Sequence, residues 1–224
     1  MILRPHADGK RNEIDYTSLR RQYSDPRSLQ SRKLQLIASL VPQGNRLLDV
    51  GSGEGEWIER ALQKFDLVVG LETSHIALAL LRERFGGNSK VEVSERSIKE
   101  VSESSEQAST FDAVTMLDVM EHVADASVML RCAYNLLRPG GIIISTTPNW
   151  YDKILIPLTG NRFHVQAHSS IGWARIVRDA GFAVTRTRTV DFPIFRHEAL
   201  CTNLHILGIC VLVQAQKPIV SHTG

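Results

Sequence analysis

The sequence predicts an α/β fold: an open, mostly parallel sheet of seven strands with helices on both faces. Three observations point there. Short aliphatic runs bounded by turn residues alternate with helix-period segments from Arg46 to Gln214. The first run ends in a glycine-rich turn, "DVGSGEGEW" (Asp49–Trp57), of the kind that joins a strand to a helix. A chain of 224 residues with 43% hydrophobic composition is long enough for one full α/β core and short for two domains. Alternation at this spacing favours parallel pairing, because parallel neighbours need a crossover between them.

Along the chain, the polar start with Pro5 and Gly9 predicts an N-terminal arm, 1–27, and the domain proper runs over 28–218. Ser28 to Leu40 reads as an amphipathic helix with Leu29, Leu36, Ile37 and Leu40 inward, closed by Pro42 and Gly44. Arg46–Val50 is a strand, Glu54–Lys64 a helix and Leu67–Leu71 a strand. Ser74–Phe85 is a helix burying Ile76, Leu80 and Leu81, and Val91–Val93 is the third strand. "VSESSEQAST" (Val101–Thr110) reads as a surface loop. Phe111–Leu117 is strand four, Ala126–Leu137 a helix, and "RPGGIIISTTPN" a turn feeding strand five. The insert at 150–168 carries Trp150, Tyr151, Ile154, Leu155, Ile156 and Phe163 with Pro157 and Gly160, the composition of a lid over a pocket or of a helix packed elsewhere on the core. Ser170–Ala180 is the last helix, and Ala183–Thr189 and Leu204–Gln214 are the last strands.

Composition narrows the partners. Lys plus Arg (26) nearly balance Asp plus Glu (24), and a net charge of +2 gives no basic field for non-specific nucleic-acid binding. Arg4, His6, Asp8, Lys10 and Arg11 interrupt any signal-peptide core, and the longest apolar run, Ile206–Val213, is too short to span a bilayer, so a cytoplasmic protein without integral membrane association is expected. Cys132, Cys201 and Cys210 lack metal or disulfide spacing and read as buried thiols.

An open parallel sheet binds its ligand at the carboxyl ends of its strands, near the point where the strand order reverses. That rule gathers Asp49–Gly55, Glu72, Asp118–His122 and Thr146–Asn149 around one crevice. Gly51, Gly53 and Gly55 allow close backbone approach, but Glu54 and Glu56 oppose a phosphate at the helix start. Glu72 follows strand two, where an acid accepts hydrogen bonds from ribose hydroxyls. A nucleoside carrying positive charge satisfies both. The plainer readings are a tight turn without ligand and an acid placed for a helix dipole.

Taken together, "LLDVGSGEGEW", "VVGLETS", "FDAVTMLDVMEHV" and "LLRPGGIIISTTPN" resemble, in order, the successive motifs of class I S-adenosylmethionine-dependent methyltransferases, over roughly Leu34 to Phe182. The resemblance implies a Rossmann-like sheet with its last strand antiparallel, and S-adenosylmethionine as cofactor with S-adenosylhomocysteine as product. It implies that Asp49 and the Gly51, Ser52, Gly53 and Gly55 turn hold the methionine end, with Leu117 nearby. Glu72 would take the ribose hydroxyls, and adenine would lie between Thr73 and Ser97–Ile98, where a serine stands in place of the family's usual acid.

Asp118, Glu121 and His122 follow strand four as candidate catalytic residues. They are similar to the E-x-x-E-H pattern of ubiquinone-pathway O-methyltransferases and of small-RNA 3′-end 2′-O-methyltransferases, with Asp118 replacing the first Glu. In those families the pattern, with a later histidine, binds a divalent metal. Here that implies Asp118, Glu121, His122 and His164, with His168 as the other candidate for the last place. Two carboxylates and two imidazoles suit Mg²⁺, Mn²⁺, Fe²⁺ or Zn²⁺; the metal-free alternative is His122 as a general base. The expected activity is O-methylation of a hydroxylated small molecule. RNA 2′-O-methylation is the alternative, disfavoured by near-neutral charge, and salt-dependent retention on RNA marks it. A non-catalytic, cofactor-binding regulator is a third reading, marked by binding without turnover. The sequence leaves the oligomeric state and the acceptor open.

Overall fold

The computed structural model describes residues 28–150, 164–190 and 208–219. One seven-stranded sheet has the order β3-β2-β1-β4-β5-β7-β6. Its strands are β1 Gly44–Val50, β2 Phe65–Leu71, β3 Val91–Ser94, β4 Phe111–Leu117, β5 Leu137–Pro148, β6 Ala183–Val190 and β7 Cys210–Gln216. Pairing is parallel from β3 through β5, whereas β7 runs antiparallel to both β5 and β6. Six helices accompany the described strands: α1 Leu29–Leu40, α2 Glu56–Ala61, α3 His75–Phe85, α4 Ile98–Ser102, α5 Ala126–Leu136 and α6 Ser170–Asp179.

Side chains alternate across each strand, so the sheet feeds two cores. Leu47 joins the core under α1, α2 and α3 with Ile37, Trp57 and Phe85. Leu48 joins the opposite core under α4, α5 and α6 with Ile98, Leu130 and Trp173. The connections after β1 and β4 leave from adjacent strands at the reversal of strand order, which opens a crevice above Val50 and Leu117.

Several expected boundaries shift for identifiable reasons. Gly55 takes a left-handed conformation (φ 85°) as the N-cap, so α2 begins at Glu56 rather than Glu54, and it ends at Ala61. In α1 the buried apolar residues are Leu34 and Ile37, continued by the C-cap Val41, with Leu36 and Leu40 only partly covered. The Ser74 cap sets the phase of α3 so that Ala77, Leu78, Leu81 and Phe85 face inward and Ile76 is exposed. The expected loop from Val101 is in part helix: Ser97 and Glu100 form a reciprocal capping box that starts α4, Val101 is buried, and Ser105–Gln107 is a 3-10 turn. β5 already begins at Leu137 and runs through "RPGG", with Gly140 at φ 79°. β7 begins at Cys210, and the expected strand residues 204–207 lie outside the described residues, as do the arm 1–27, insert residues 151–163 and Cys201. Cys132 is buried and Cys210 half-buried. Among the described residues no helix is long and apolar enough to cross a membrane.

Candidate active site

The turn after β1 is built by its glycines. Gly51, Gly53 and Gly55 all have positive φ (73°, 55° and 85°). At Gly51 a Cβ would stand 2.6 Å from the Val119 side chain, so the two loops of the crevice touch where only hydrogen fits. The Gly51 and Ser52 N–H groups donate to the Leu71 carbonyl (2.7 and 3.1 Å), tying the turn to the end of β2. Arg84 of α3 braces the outside, donating to the Glu54 carbonyl at 2.8 Å and pairing with Glu56 at 3.4 Å. Glu72 is buried, and its two oxygens accept from the Gly53 N–H (2.9 Å) and the Ser74 N–H (2.8 Å). Each carboxylate oxygen keeps a second lone pair, which is the capacity two ligand hydroxyls need.

Two cavities meet at this turn. The smaller, about 100 Å³, is walled by Lys33, Asp49, Ser52, Glu54, Trp57 and Leu117. The larger, about 360 Å³ and mostly apolar, is walled by Glu72, Thr73, Ser97, Ile98, Val119, His122 and Met129. Gly51, Gly53 and Asp118 line both. The Ser97 hydroxyl is engaged in the capping box with Glu100, donating at 2.7 Å, so the larger cavity meets Ser97 and Ile98 at the start of a helix rather than at an acid.

Charge in the smaller cavity is tightly arranged. Asp49, at the end of β1, is 2% exposed. Its Oδ1 accepts from the Thr115 hydroxyl at 2.8 Å, and that oxygen in turn accepts from Trp57 Nε1 at 3.0 Å. Burial pushes the Asp49 carboxyl up to about 7, against the opposing Thr115 and Ser52 hydrogen bonds. Asp118, one residue past β4, holds a left-handed backbone (φ 55°) that few non-glycine residues adopt outside functional sites. Its carboxylate forms an ion pair with Lys33 and accepts from the Thr146 hydroxyl at 2.9 Å. Burial works against its ionisation, but the Lys33 ammonium and the Thr146 hydroxyl outweigh it and hold the carboxyl below the ordinary range.

Beyond Asp118, Met120–His122 is a 3-10 turn. The segment at 164–166 is laced to it: the Val165 N–H donates to the Glu121 carbonyl at 2.8 Å, and Gln166 Nε2 donates to the Val123 carbonyl at 2.7 Å. This lacing brings His164 to His122, with ring centroids 4.9 Å apart. One ligand atom from each of Glu121, His122 and His164 lies within 4.8 Å of the others, and the Glu121 carboxylate is buried 3.9 Å from His122 Nε2. Two imidazoles and a carboxylate are a donor set that fits a divalent first-row ion. Asp118, the fourth residue of the expected set, is not within this group: its carboxylate pairs with Lys33 and accepts from Thr146, while the His122 charge still acts on it across the cavity both line. His168 is also elsewhere, on Gln166 Oε1 (3.3 Å) and edge-on to Trp173.

Lys33 and the Trp57–Thr115 relay were not singled out by sequence reasoning. A signal for Lys33 was present: it lies four residues before Ile37 on the buried side of α1, where lysine is rare without a partner. Thr115 lies inside the run of buried residues Phe111–Met116 of β4 and carries no local signal.

Similarity to known proteins agrees with this geometry. A methyltransferase-domain family model matches residues 19–187. The ubiquinone biosynthesis O-methyltransferase of Paracidovorax citrulli is 30% identical over 202 residues, covering 82% of this chain and 84% of that protein. Among solved structures, an S-adenosylmethionine-dependent methyltransferase of Thermotoga maritima superposes with a TM-score of 0.70 at 19% identity, covering 91% of this chain and 96% of that one. A phosphoethanolamine N-methyltransferase of Haemonchus contortus, solved with S-adenosyl-L-methionine, superposes at 0.65 and 16% identity over 84% of this chain and 52% of its own. At such identities the solved structures speak to the fold alone.

Proposed function

This chain belongs to the class I S-adenosylmethionine-dependent methyltransferases, and from that premise we propose that it moves the cofactor's methyl group to a hydroxyl oxygen of a small, partly apolar acceptor. The observation that carries the choice of oxygen is the histidine pair, His122 and His164, standing beside Glu121, with His122 in the wall of the larger cavity. A hydroxyl must lose its proton as the new C–O bond forms, and imidazole accepts one near neutral pH. The name of the Paracidovorax citrulli relative supports the same atom and puts hydroxylated quinone precursors first among acceptors to try.

In this reading the ribose hydroxyls donate to Glu72, whose carboxylate is already aimed by Gly53 and Ser74. Adenine lies against Thr73 and the main chain at Ser97 and Ile98. The methionine end enters the smaller cavity beside Asp49, Ser52 and Leu117, and Gly51, Gly53 and Gly55 let the turn close on it.

The reaction is an in-line displacement at an already activated methyl. The acceptor oxygen forms a bond to the methyl carbon as the carbon–sulfur bond breaks, and the electron pair of that bond stays on sulfur, leaving a neutral thioether. The hydroxyl proton passes to His122, and the Glu121 carboxylate 3.9 Å away balances the imidazolium. As the alternative use of the same residues, a divalent ion held by Glu121, His122 and His164 would supply Lewis acidity that lowers the pKa of an acceptor hydroxyl, in place of proton transfer to His122. The remaining work of the chain is orientation and exclusion of water.

The test is label transfer from methyl-labelled S-adenosylmethionine to matched sets of catechols, hydroxylated quinone precursors, amines and RNA, with products identified by mass spectrometry. Methyl ethers formed by the wild type and lost in His122→Ala are expected. Transfer to amines alone, or ether formation indifferent to His122→Ala, refutes the oxygen reading.

A further inference from the structure

We propose that Gln166 is a positioning residue for proton transfer at His122, and that His168 serves the same end by orienting the Gln166 amide. The Gln166 side chain clamps the turn that carries His122 and so sets His164 beside it. The inference rests on the reading that His122 takes the acceptor's proton, and it gives His168 a use other than metal binding.

Met120–His122 is a single turn of 3-10 helix, too short to satisfy its own carbonyls, which need donors from outside. Residues 165 and 166 supply them. The Val165 and Gln166 N–H groups both donate to the Glu121 carbonyl, at 2.8 and 3.3 Å. Two donors on one oxygen make a pivot, about which the segment is still free to swing. The Gln166 side chain removes that freedom: its Nε2 donates to the Met120 carbonyl at 3.2 Å and to the Val123 carbonyl at 2.7 Å, on either side of Glu121 and His122. The turn is thus held at Met120, Glu121 and Val123 from one short stretch of chain. His164, two residues before Gln166, then meets His122 with ring centroids 4.9 Å apart.

The clamp works with the amide one way round only. Turned over, it would set Oε1 against two carbonyl oxygens, none of which can donate. Oε1 instead faces His168 Nε2 at 3.3 Å. With the Gln166 nitrogen committed to the carbonyls, the His168 nitrogen must be the donor in that contact, so the neutral ring carries its proton on Nε2. The His168 ring lies edge-on to Trp173, with centroids 4.8 Å apart at 85°, and Trp173 of α6 is fully buried in the core on that face of the sheet. The spacing of His122 and His164 is therefore indexed, through Gln166 and His168, to a helix packed on the sheet. Proton transfer needs its two heavy atoms within hydrogen-bond reach, so a misplacement of about 1 Å at this turn is costly in rate.

The experiment compares wild type with Gln166→Met, which keeps the side-chain length and removes both donors, with His168→Leu, and with His168→Gln, whose Nε2 stands where the imidazole Nε2 did. The readouts are kcat and KM for the catechol or hydroxylated quinone precursor that wild type methylates, S-adenosylhomocysteine affinity by calorimetry, and nuclear Overhauser contacts between the His122 and His164 ring protons. Gln166→Met should lower kcat by about tenfold or more and lose the contact between the rings, with KM and S-adenosylhomocysteine affinity within about twofold of wild type, because alignment is lost and binding is not. Retained affinity also shows that the variant is folded. His168→Leu should lower kcat in the same sense, and His168→Gln should restore most of it. The proposal is overturned if Gln166→Met keeps the wild-type kcat or the ring contact, if S-adenosylhomocysteine affinity falls in step with kcat, or if His168→Gln is as slow as His168→Leu. Wild type that forms no methyl ether, or no more than His122→Ala does, would instead overturn the proton-acceptor reading beneath it; the ring contact, present in wild type and absent from Gln166→Met, then still decides the clamp.

Discussion

Asp49 makes the stability of the ligand-free protein fall as pH rises, and the size of the effect is set by its burial. In the folded chain its carboxyl titrates near 7 in place of 3.8, with desolvation as the leading cause. That difference corresponds to about 4 kcal/mol of ionisation cost borne by the fold. The unfolded chain gives up this proton near 3.8, while the folded chain keeps it until about 7. The contribution is therefore intact below the unfolded value, is lost progressively through this window and changes no further above it. Between about pH 5 and about pH 7 it amounts to about 2 kcal/mol. Urea unfolding of wild type and Asp49→Asn across this range isolates it, because other titrating groups are common to both proteins. The stability difference, wild type minus variant, should fall by that amount and then level off. A difference that stays constant with pH would show that Asp49 is ionised throughout. The same proton is a reporter of ligand charge. A cationic cofactor beside Asp49 favours the carboxylate, so binding near pH 6 should release protons to the buffer in wild type and none from this site in Asp49→Asn, and affinity should rise with pH up to about 7.

Three other perturbations probe neighbouring parts of the site. Glu72→Ala removes the charged acceptor aimed by Gly53 and Ser74; calorimetry should show at least about a tenfold loss of S-adenosylmethionine affinity, and unchanged affinity would remove Glu72 from the ribose site. Gly55→Ala forces a side chain into φ 85° with its Cβ 2.4 Å from the Phe85 ring, so thermal or urea melts should report a loss of about 2 kcal/mol or more, and a neutral effect would mean that the turn relaxes freely. Exhaustive chelation with metal re-addition, paired with His164→Ala, decides between the two uses of His122: activity lost in both and restored by a divalent ion to the wild type alone indicates the metal, whereas full activity in both leaves the metal-free general base.

What could be read in advance follows from which features leave a local trace. The glycine turn did, because left-handed backbone and close approach at Gly51 demand a residue type that shows in the sequence. Glu72 did too, as an acid at the end of an apolar run. The capping box that starts α4 was equally legible in "SIKE", but serine-rich composition made the stretch that follows look like a loop throughout. Lys33 was hidden by the habit of treating lysine as solvated, although its position on the buried side of α1 called for a partner. The left-handed backbone of Asp118 had no trace at all: it is imposed by the end of β4 meeting Thr146 and Lys33, contacts between residues distant in sequence. For that reason Asp118, Glu121, His122 and His164 looked like one constellation in the sequence and stand as a pair and a trio in space.

The placement of β7 between β5 and β6 has a consequence for how the molecule comes into being. Among the described residues β6 has no partner in the sheet other than β7, and the edge of β5 away from β4 is covered by β7 alone, with Ile142 opposite Gln216 and Pro148 opposite Cys210. During synthesis the strands that carry the glycine turn, Glu72 and Asp118 can pair as soon as β4 and β5 have emerged, since each lies beside a strand made earlier. Until residue 216 has followed, the aliphatic edge of β5 faces solvent as an unpaired template. Closing it requires a contact across a long stretch of chain, the slowest kind to form. Nascent chains stalled before β7 should therefore self-associate through that edge, with the cofactor half of the sheet already assembled.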